Sequence, residues 1–153
     1  MLNDVIQLAT DIYLDQMIGI TDVEGFSPNA LILFKRFKKA YENKSLSELA
    51  DTISEKFSGS FYGATTKEHF LRAMKGLFNS MPLGINPHLV INIYNITSNT
   101  DEVFSGVFDF KAMIKVVFVP LPWKYDSGKV FFEAKPEGNL KYWRITSLNN
   151  QSR

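Results

Sequence analysis

"FKRFKKAYENKSLSELADTISEKFSGSFYG" (residues 34–63) and, after Ala64, "TTKEHFLRAMKGLF" (65–78) carry two helix starts with an uncharged aromatic connector between them. Ser45 and Glu48 form a capping box, and Leu46, Leu49, Ala50 and Ile53 follow at i, i+3, i+4 and i+7. This spacing predicts a short helix running to about Ser54. Thr65 and Glu68 repeat the capping pattern, and Phe70, Leu71, Met74, Leu77, Phe78 and Met81 mark the buried side of the helix that follows. "FSGSFYG" (57–63) separates the two and contains neither acid nor base.

Working upstream, Ser27 can cap a helix whose first turn holds Pro28, with Leu31, Phe34, Phe37 and Tyr41 as its apolar stripe. Within it, "KRFKK" (35–39) reads as a solvated helix face, and Lys38 is one turn from Glu42. Residues 2–18 have helical spacing of their own, broken by "GITDVEGFS" (19–27). The chain therefore divides into an N-terminal helical extension and link (1–27) and a main domain (28–150).

Downstream of His88 the period changes from 3.6 to 2, which predicts a sheet. "LVINIYNIT" (89–97) is followed by "VFSGVFDFKAMIKVVFV" (103–119), a strand long enough to need a bulge or bend near Gly106. "PLPWKYDSG" (120–128) reads as a loop, and "KVFFEAK" (129–135) and "LKYWRITSL" (140–148) as the last strands. Regular pleating puts Phe104, Phe108 and Phe110 on the buried face and Asp109, Lys111 and Lys115 outside. Helices first and an antiparallel meander after them predict an α+β fold with helices on one face of a strongly curved sheet.

The composition narrows function by exclusion. The chain has 153 residues, enough for one domain with a real core, and thirteen Phe, six Tyr and two Trp supply the apolar surface for a core or a cavity. A net charge of +1 argues against nucleic acid as a partner. With no cysteine and two histidines there is no disulfide, no thiolate chemistry and no credible metal constellation; no glycine-rich phosphate loop is present, and no cofactor is expected. The first nineteen residues carry Asp4, Asp11 and Asp15 but no Lys or Arg, unlike a secretory signal. No stretch is long enough to span a bilayer, so the expected compartment is the cytoplasm.

The order of these elements, from "FKRFKKAYENKSLSELADTISEKFSGSFYG" through "TTKEHFLRAMKGLF" to four strands ending "GNLKYWRITSL", resembles the nuclear transport factor 2-like superfamily, which includes ketosteroid isomerase-like and SnoaL-like proteins. The resemblance covers roughly residues 28–150 and rests on pattern and order. It implies a cone-shaped, cystatin-like fold in which helices close over a curved sheet around an apolar cavity, and often a homodimer through the outer sheet face. The same cone serves isomerases, dehydratases, cyclases and binding modules, so fold does not name a reaction. In the isomerases a tyrosine on the first core helix and an aspartate at the end of the first strand do the chemistry. Those positions fall here at about Phe37 and at Ser60 or Phe61, none of which can act as a base unaided. "FSGSFYG" thus occupies the base position but reads as pocket wall.

Expected wall positions are Tyr62, Phe70, Met74, Phe108, Phe110 and Trp143, with Tyr142 and Arg144 as polar contacts. Trp143 and Arg144 should face opposite sides of their strand unless it bulges. His69, in the first turn of its helix, and Asp109, the one carboxylate inside the long strand, are the candidate catalytic groups. Against them stand a solvent-facing His69 and an Asp109 on the outer face. The expected function is the binding of a small hydrophobic or aromatic ligand. The alternatives are an isomerase-, dehydratase- or cyclase-like enzyme using His69 or Asp109, and a dimeric interaction module with a filled cavity.

Overall fold

The computed structural model describes residues 28–116, 119–126 and 128–150, the side chains of 115–126 excepted. The expected helix at 2–18 lies outside these residues, as do the side chains of Lys115, Phe118 and Trp123.

Helix α1 (Pro28–Glu42) buries Ala30, Leu33, Phe34, Ala40 and Tyr41. It ends in a Schellman turn: the Ser45 amide donates to Ala40 O and the Lys44 amide to Tyr41 O, with Lys44 at φ 53°. Helix α2 (Leu46–Asp51) follows at once, capped by Ser45, whose Oγ accepts from the Glu48 amide at 3.3 Å. It stops short of the expected Ser54. The β-branched pair Thr52 and Ile53 instead opens strand β1 (Ile53–Ser60), because the strand at Tyr142–Asn150 offers a backbone ladder: the Ile145 amide donates to Thr52 O at 2.8 Å. Half of the aromatic connector is therefore strand.

Its other half is tied down by two asparagines. Asn149 Oδ1 accepts from the Ser60 amide and Asn150 Oδ1 from the Tyr62 amide, and Tyr62 is left in the left-handed region at φ 50°. Helix α3 (Lys67–Asn79) then starts at Thr66, one residue later than the capping pattern suggested, with Thr66 Oγ1 accepting from the His69 amide.

The remaining strands are β2 (Ile85–Asn99), β3 (Phe104–Val116), β4 (Val119–Asp126), β5 (Val130–Glu137) and β6 (Tyr142–Asn150). They and β1 form one six-stranded sheet ordered β1-β6-β5-β3-β2, with β4 beside β3. The sheet is antiparallel except at one place, where β1 runs parallel to β6. Strand β3 is bordered on one side by β2, and on the other by β5 up to Phe108 and by β4 from Lys111. The expected loop at 120–128 is thus largely strand. Its prolines, which cannot donate to a ladder, are tolerated because β4 pairs on β3 alone and is an edge.

The bend expected near Gly106 is present, but the extra residues are on β2, where the register shifts between Ile93 and Asn95 and again between Ile96 and Ser98. Gly106 is the residue that lets the bulged strand close in, since a Cβ there would lie 2.2 Å from Asn95 O. Phe34 of α1 anchors the core edge-on against Phe132, at 5.1 Å between centroids, and Phe108; Phe104 joins them. Among the described residues no helix is long and apolar enough to cross a membrane.

Candidate functional site

The helices do not seal onto the sheet everywhere. A cavity of about 350 Å³ remains between α1, α3, the β1–α3 connector and the inner face of the sheet. Its helical walls are Phe34, Phe37 and Tyr41 from α1 and Phe70, Ala73, Met74 and Leu77 from α3. These are the positions that i, i+3, i+4 and i+7 spacing puts on one face of each helix. Leu89 and Ile91 of β2 and Phe108, Phe110 and Ala112 of β3 form the floor at alternate residues, joined by Ile145 and Leu148 of β6, which share a face across a register shift. Phe61, Tyr62 and Ala64 of the connector complete it. Phe70 is the hub, in ring contact with Phe37, Phe57 and Phe61.

Among the described residues no charged side chain lines this space, and the polar side-chain groups they bring to it are two hydroxyls. Tyr62 is 52% exposed and stands at the rim, edge-on to Phe110. Tyr41 is 7% exposed, and its phenol makes no hydrogen bond to any described residue. Burial, with the neighbouring Glu42 carboxylate adding to it, pushes the Tyr41 phenol up to about 12.

Glu42 itself fastens α1 to the edge strand. Its Oε2 accepts from Lys38 Nζ and from the Leu89 amide, both at 2.9 Å, and His88 Nδ1 approaches it to 2.8 Å without a well-aligned hydrogen bond. Burial would push the Glu42 carboxyl up. The close His88 imidazole, the Lys38 ammonium and the Leu89 amide together outweigh burial and hold it below the usual carboxylate range. His88 is 2% exposed, and its Nε2 has no partner among the described residues.

Of the residues singled out from sequence, Tyr62, Phe70, Met74, Phe108 and Phe110 stand on the cavity wall. Tyr142, Trp143 and Arg144 do not. Strand parity divides these three: Trp143 is buried in the core beside Ile145, whereas Tyr142 and Arg144 face outward. The Tyr142 ring lies under the guanidinium groups of Arg36 and Arg144, and Asp51 binds both arginines. The two candidate catalytic groups are also off the wall. His69 is exposed on α3, with Nδ1 3.3 Å from Thr65 Oγ1. Asp109 is on the opposite face of β3 from Phe108 and Phe110, in register with Asn92. At the two isomerase positions the cavity meets Phe37 and Phe61.

Sequence reasoning passed over the Tyr41 hydroxyl, although Tyr41 sat in the predicted stripe of α1. The signal was its place seven residues after Phe34 on the same face. No group of three or more metal-ligating side chains occurs among the described residues.

No protein-family model matches the chain, and no curated protein sequence matches it significantly. Solved structures do. A protein from Catenulispora acidiphila, solved in complex with S-DNPA, is 12% identical with a TM-score of 0.61, over 79% of this chain and 90% of that one. A nuclear transport factor 2-like protein of unknown function from Shewanella oneidensis MR-1 is 16% identical with a TM-score of 0.59, over 79% and 94%. A domain of unknown function with a cystatin-like fold from Nostoc punctiforme is 13% identical with a TM-score of 0.55, over 80% and 74%. These likenesses establish the fold: the chain has the nuclear transport factor 2-like, cystatin-like architecture.

Proposed function

We propose that this nuclear transport factor 2-like unit, residues 28–150, binds a small hydrophobic or aromatic molecule between α1, α3 and the inner face of the sheet. The observation that carries the reading is the unfilled cavity of about 350 Å³ with an aromatic and aliphatic wall. Its size lies at the lower end of the roughly 300–1,000 Å³ typical of small-molecule sites. The wall side chains stand on helices and strands rather than on long loops, so the space is largely formed before a ligand arrives. The Catenulispora neighbour, in complex with S-DNPA, supports small-molecule binding on this architecture.

The enzyme alternative needs His69 or Asp109 beside the ligand, and neither lines the cavity. A filled-cavity interaction module needs the phenylalanines to close on one another, and the space between them argues against it. The reading includes a cytoplasmic location and a homodimer through the outer sheet face, where Phe131 is 39% exposed.

Native mass spectrometry of the purified protein tests both parts. The expected spectrum is a dimer carrying a discrete extra mass, or gaining one from a panel of aromatic metabolites. Ala73→Trp, which puts a bulky ring into the cavity from α3, should remove the added mass while leaving the circular dichroism spectrum intact. A protein that takes up none of the panel, before or after delipidation, refutes the binding reading.

A further inference from the structure

The turn between β1 and α3 stands at the mouth of the cavity and is held differently from the rest of the wall. Resting on the binding reading above, we infer that residues 60–63 form a gate through which the ligand enters and leaves, latched shut by the side chains of Asn149 and Asn150.

Three observations lead there. The first is where the turn is anchored. Upstream, Gly59 is pressed onto β6 so closely that a Cβ would have no room beside Leu148 O; downstream, Ala64 is buried ahead of Thr66, the cap of α3. Only the stretch between these two points is short enough of packing to swing. The second observation is how that stretch is held. Phe61 and Ala64 exchange backbone hydrogen bonds around a two-residue turn, with Tyr62 at φ 50° and Gly63 at φ 84°. The first place of such a turn favours Asn, Asp or Gly, so a tyrosine there is strained. Side chains tie the turn to the sheet: the Ser60 amide donates to Asn149 Oδ1 at 2.9 Å and the Tyr62 amide to Asn150 Oδ1 at 2.7 Å. Rotating an asparagine side chain releases either bond, while the backbone of both asparagines stays paired with Phe131 and Val130 on β5. The third observation is what the turn covers. Phe61 packs on Phe70 and Phe110 at 5.9 and 6.1 Å between centroids, and Tyr62 reaches Phe110 at 6.3 Å. Exposed wall residues mark the mouth, and among the described residues these are Tyr62 on the turn and Ala73 on α3. Swinging the turn outward withdraws both rings from Phe110 and widens the mouth without disturbing the β5–β6 ladder. The latch bonds do not touch the ligand, so weakening them raises the open fraction equally for entry and for exit.

The test mixes the full chain with N-phenyl-1-naphthylamine, an uncharged probe that fluoresces in apolar surroundings, and follows binding and release by stopped flow. Association and dissociation rate constants are measured for wild type, Asn149→Ala, Asn150→Ala and Asn150→Asp, each checked for folding by circular dichroism. In either alanine variant both rate constants should rise together by about three- to tenfold, the worth of one neutral hydrogen bond, while Kd changes by less than about twofold. Asn150→Asp keeps an acceptor oxygen and should retain the wild-type rates. Should one alanine variant fail to fold, the other decides. Unchanged rate constants with the probe still bound overturn the gate and leave the cavity reading intact. A dissociation rate that rises alone, weakening Kd by the same factor, makes the asparagines supports of the wall and also overturns the gate. No binding of the probe to wild type or to either alanine variant overturns the cavity reading and this inference with it.

Discussion

Replacing Glu42 by Gln removes one negative charge from the end of α1 while keeping the shape of the side chain and one acceptor oxygen. In the native protein the carboxylate receives Lys38 Nζ and the Leu89 amide at 2.9 Å each. Hydrogen bonds to a charged group contribute about 1.5–3 kcal/mol and neutral ones about 0.5–1.5, so neutralising the acceptor of two such bonds forfeits about 2 kcal/mol. Relief of the carboxylate's own desolvation offsets part of this, leaving an expected loss of about 1–2 kcal/mol at pH 7. The pH dependence follows from the direction of the shift. The folded-state carboxyl titrates below its ordinary value of 4.5, so its contribution is fully present above pH 4.5 and is lost as pH falls through the lower, folded value. Wild type and Glu42→Gln should therefore differ in urea midpoint at pH 7 and converge on acidification below 4.5, with the buried Trp143 as a fluorescence reporter. A midpoint difference that is absent at pH 7, or that persists unchanged at pH 3, refutes the clasp between α1 and β2.

Three further substitutions probe the scaffold. Gly106→Ala drives a methyl into Asn95 O at 2.2 Å, and backbone cannot easily retreat; urea unfolding should show a loss of about 1–3 kcal/mol, and a neutral result would place the β2 bulge elsewhere. Lys44→Gly relieves a left-handed non-glycine residue in the Schellman turn at φ 53° and should raise stability by about 0.5–1 kcal/mol, read as a higher melting midpoint. Phe70→Ala removes the ring that joins three others and is 1% exposed, at an expected cost of about 3–5 kcal/mol; a loss under 1 would mean that Phe70 is not the hub.

Much of the site was legible because periodicity survives folding. The Phe34, Phe37 and Tyr41 stripe and the Phe70, Met74 and Leu77 stripe each face inward as their spacing requires, and Phe108 and Phe110 alternate against Asp109 without interruption. Local pattern reads less well where a distant partner decides. Thr52 and Ile53 left the helix because β6, nearly a hundred residues on, offered a parallel ladder, and the proline-bearing segment at 120–126 became strand because β3 had a free edge. The β6 partner is invisible within a window of a dozen residues, whereas β3 is close in sequence and it was the prolines that hid the pairing of β4 on its free edge.

The sequence by itself determined the helical faces, the switch from helix to sheet after His88, and a cavity wall too apolar for a base at the isomerase positions. These depend only on side-chain period and type. Tertiary structure alone decided that Trp143 packs in the core while Arg144 joins Arg36, Asp51 and Tyr142 on the surface, and that Glu42 reaches the Leu89 amide. It also decided that Tyr41 lines the cavity and that its hydroxyl bonds to no described residue. Whether a polar group is satisfied depends on which atoms arrive beside it, and those come from strands that are far away in the chain.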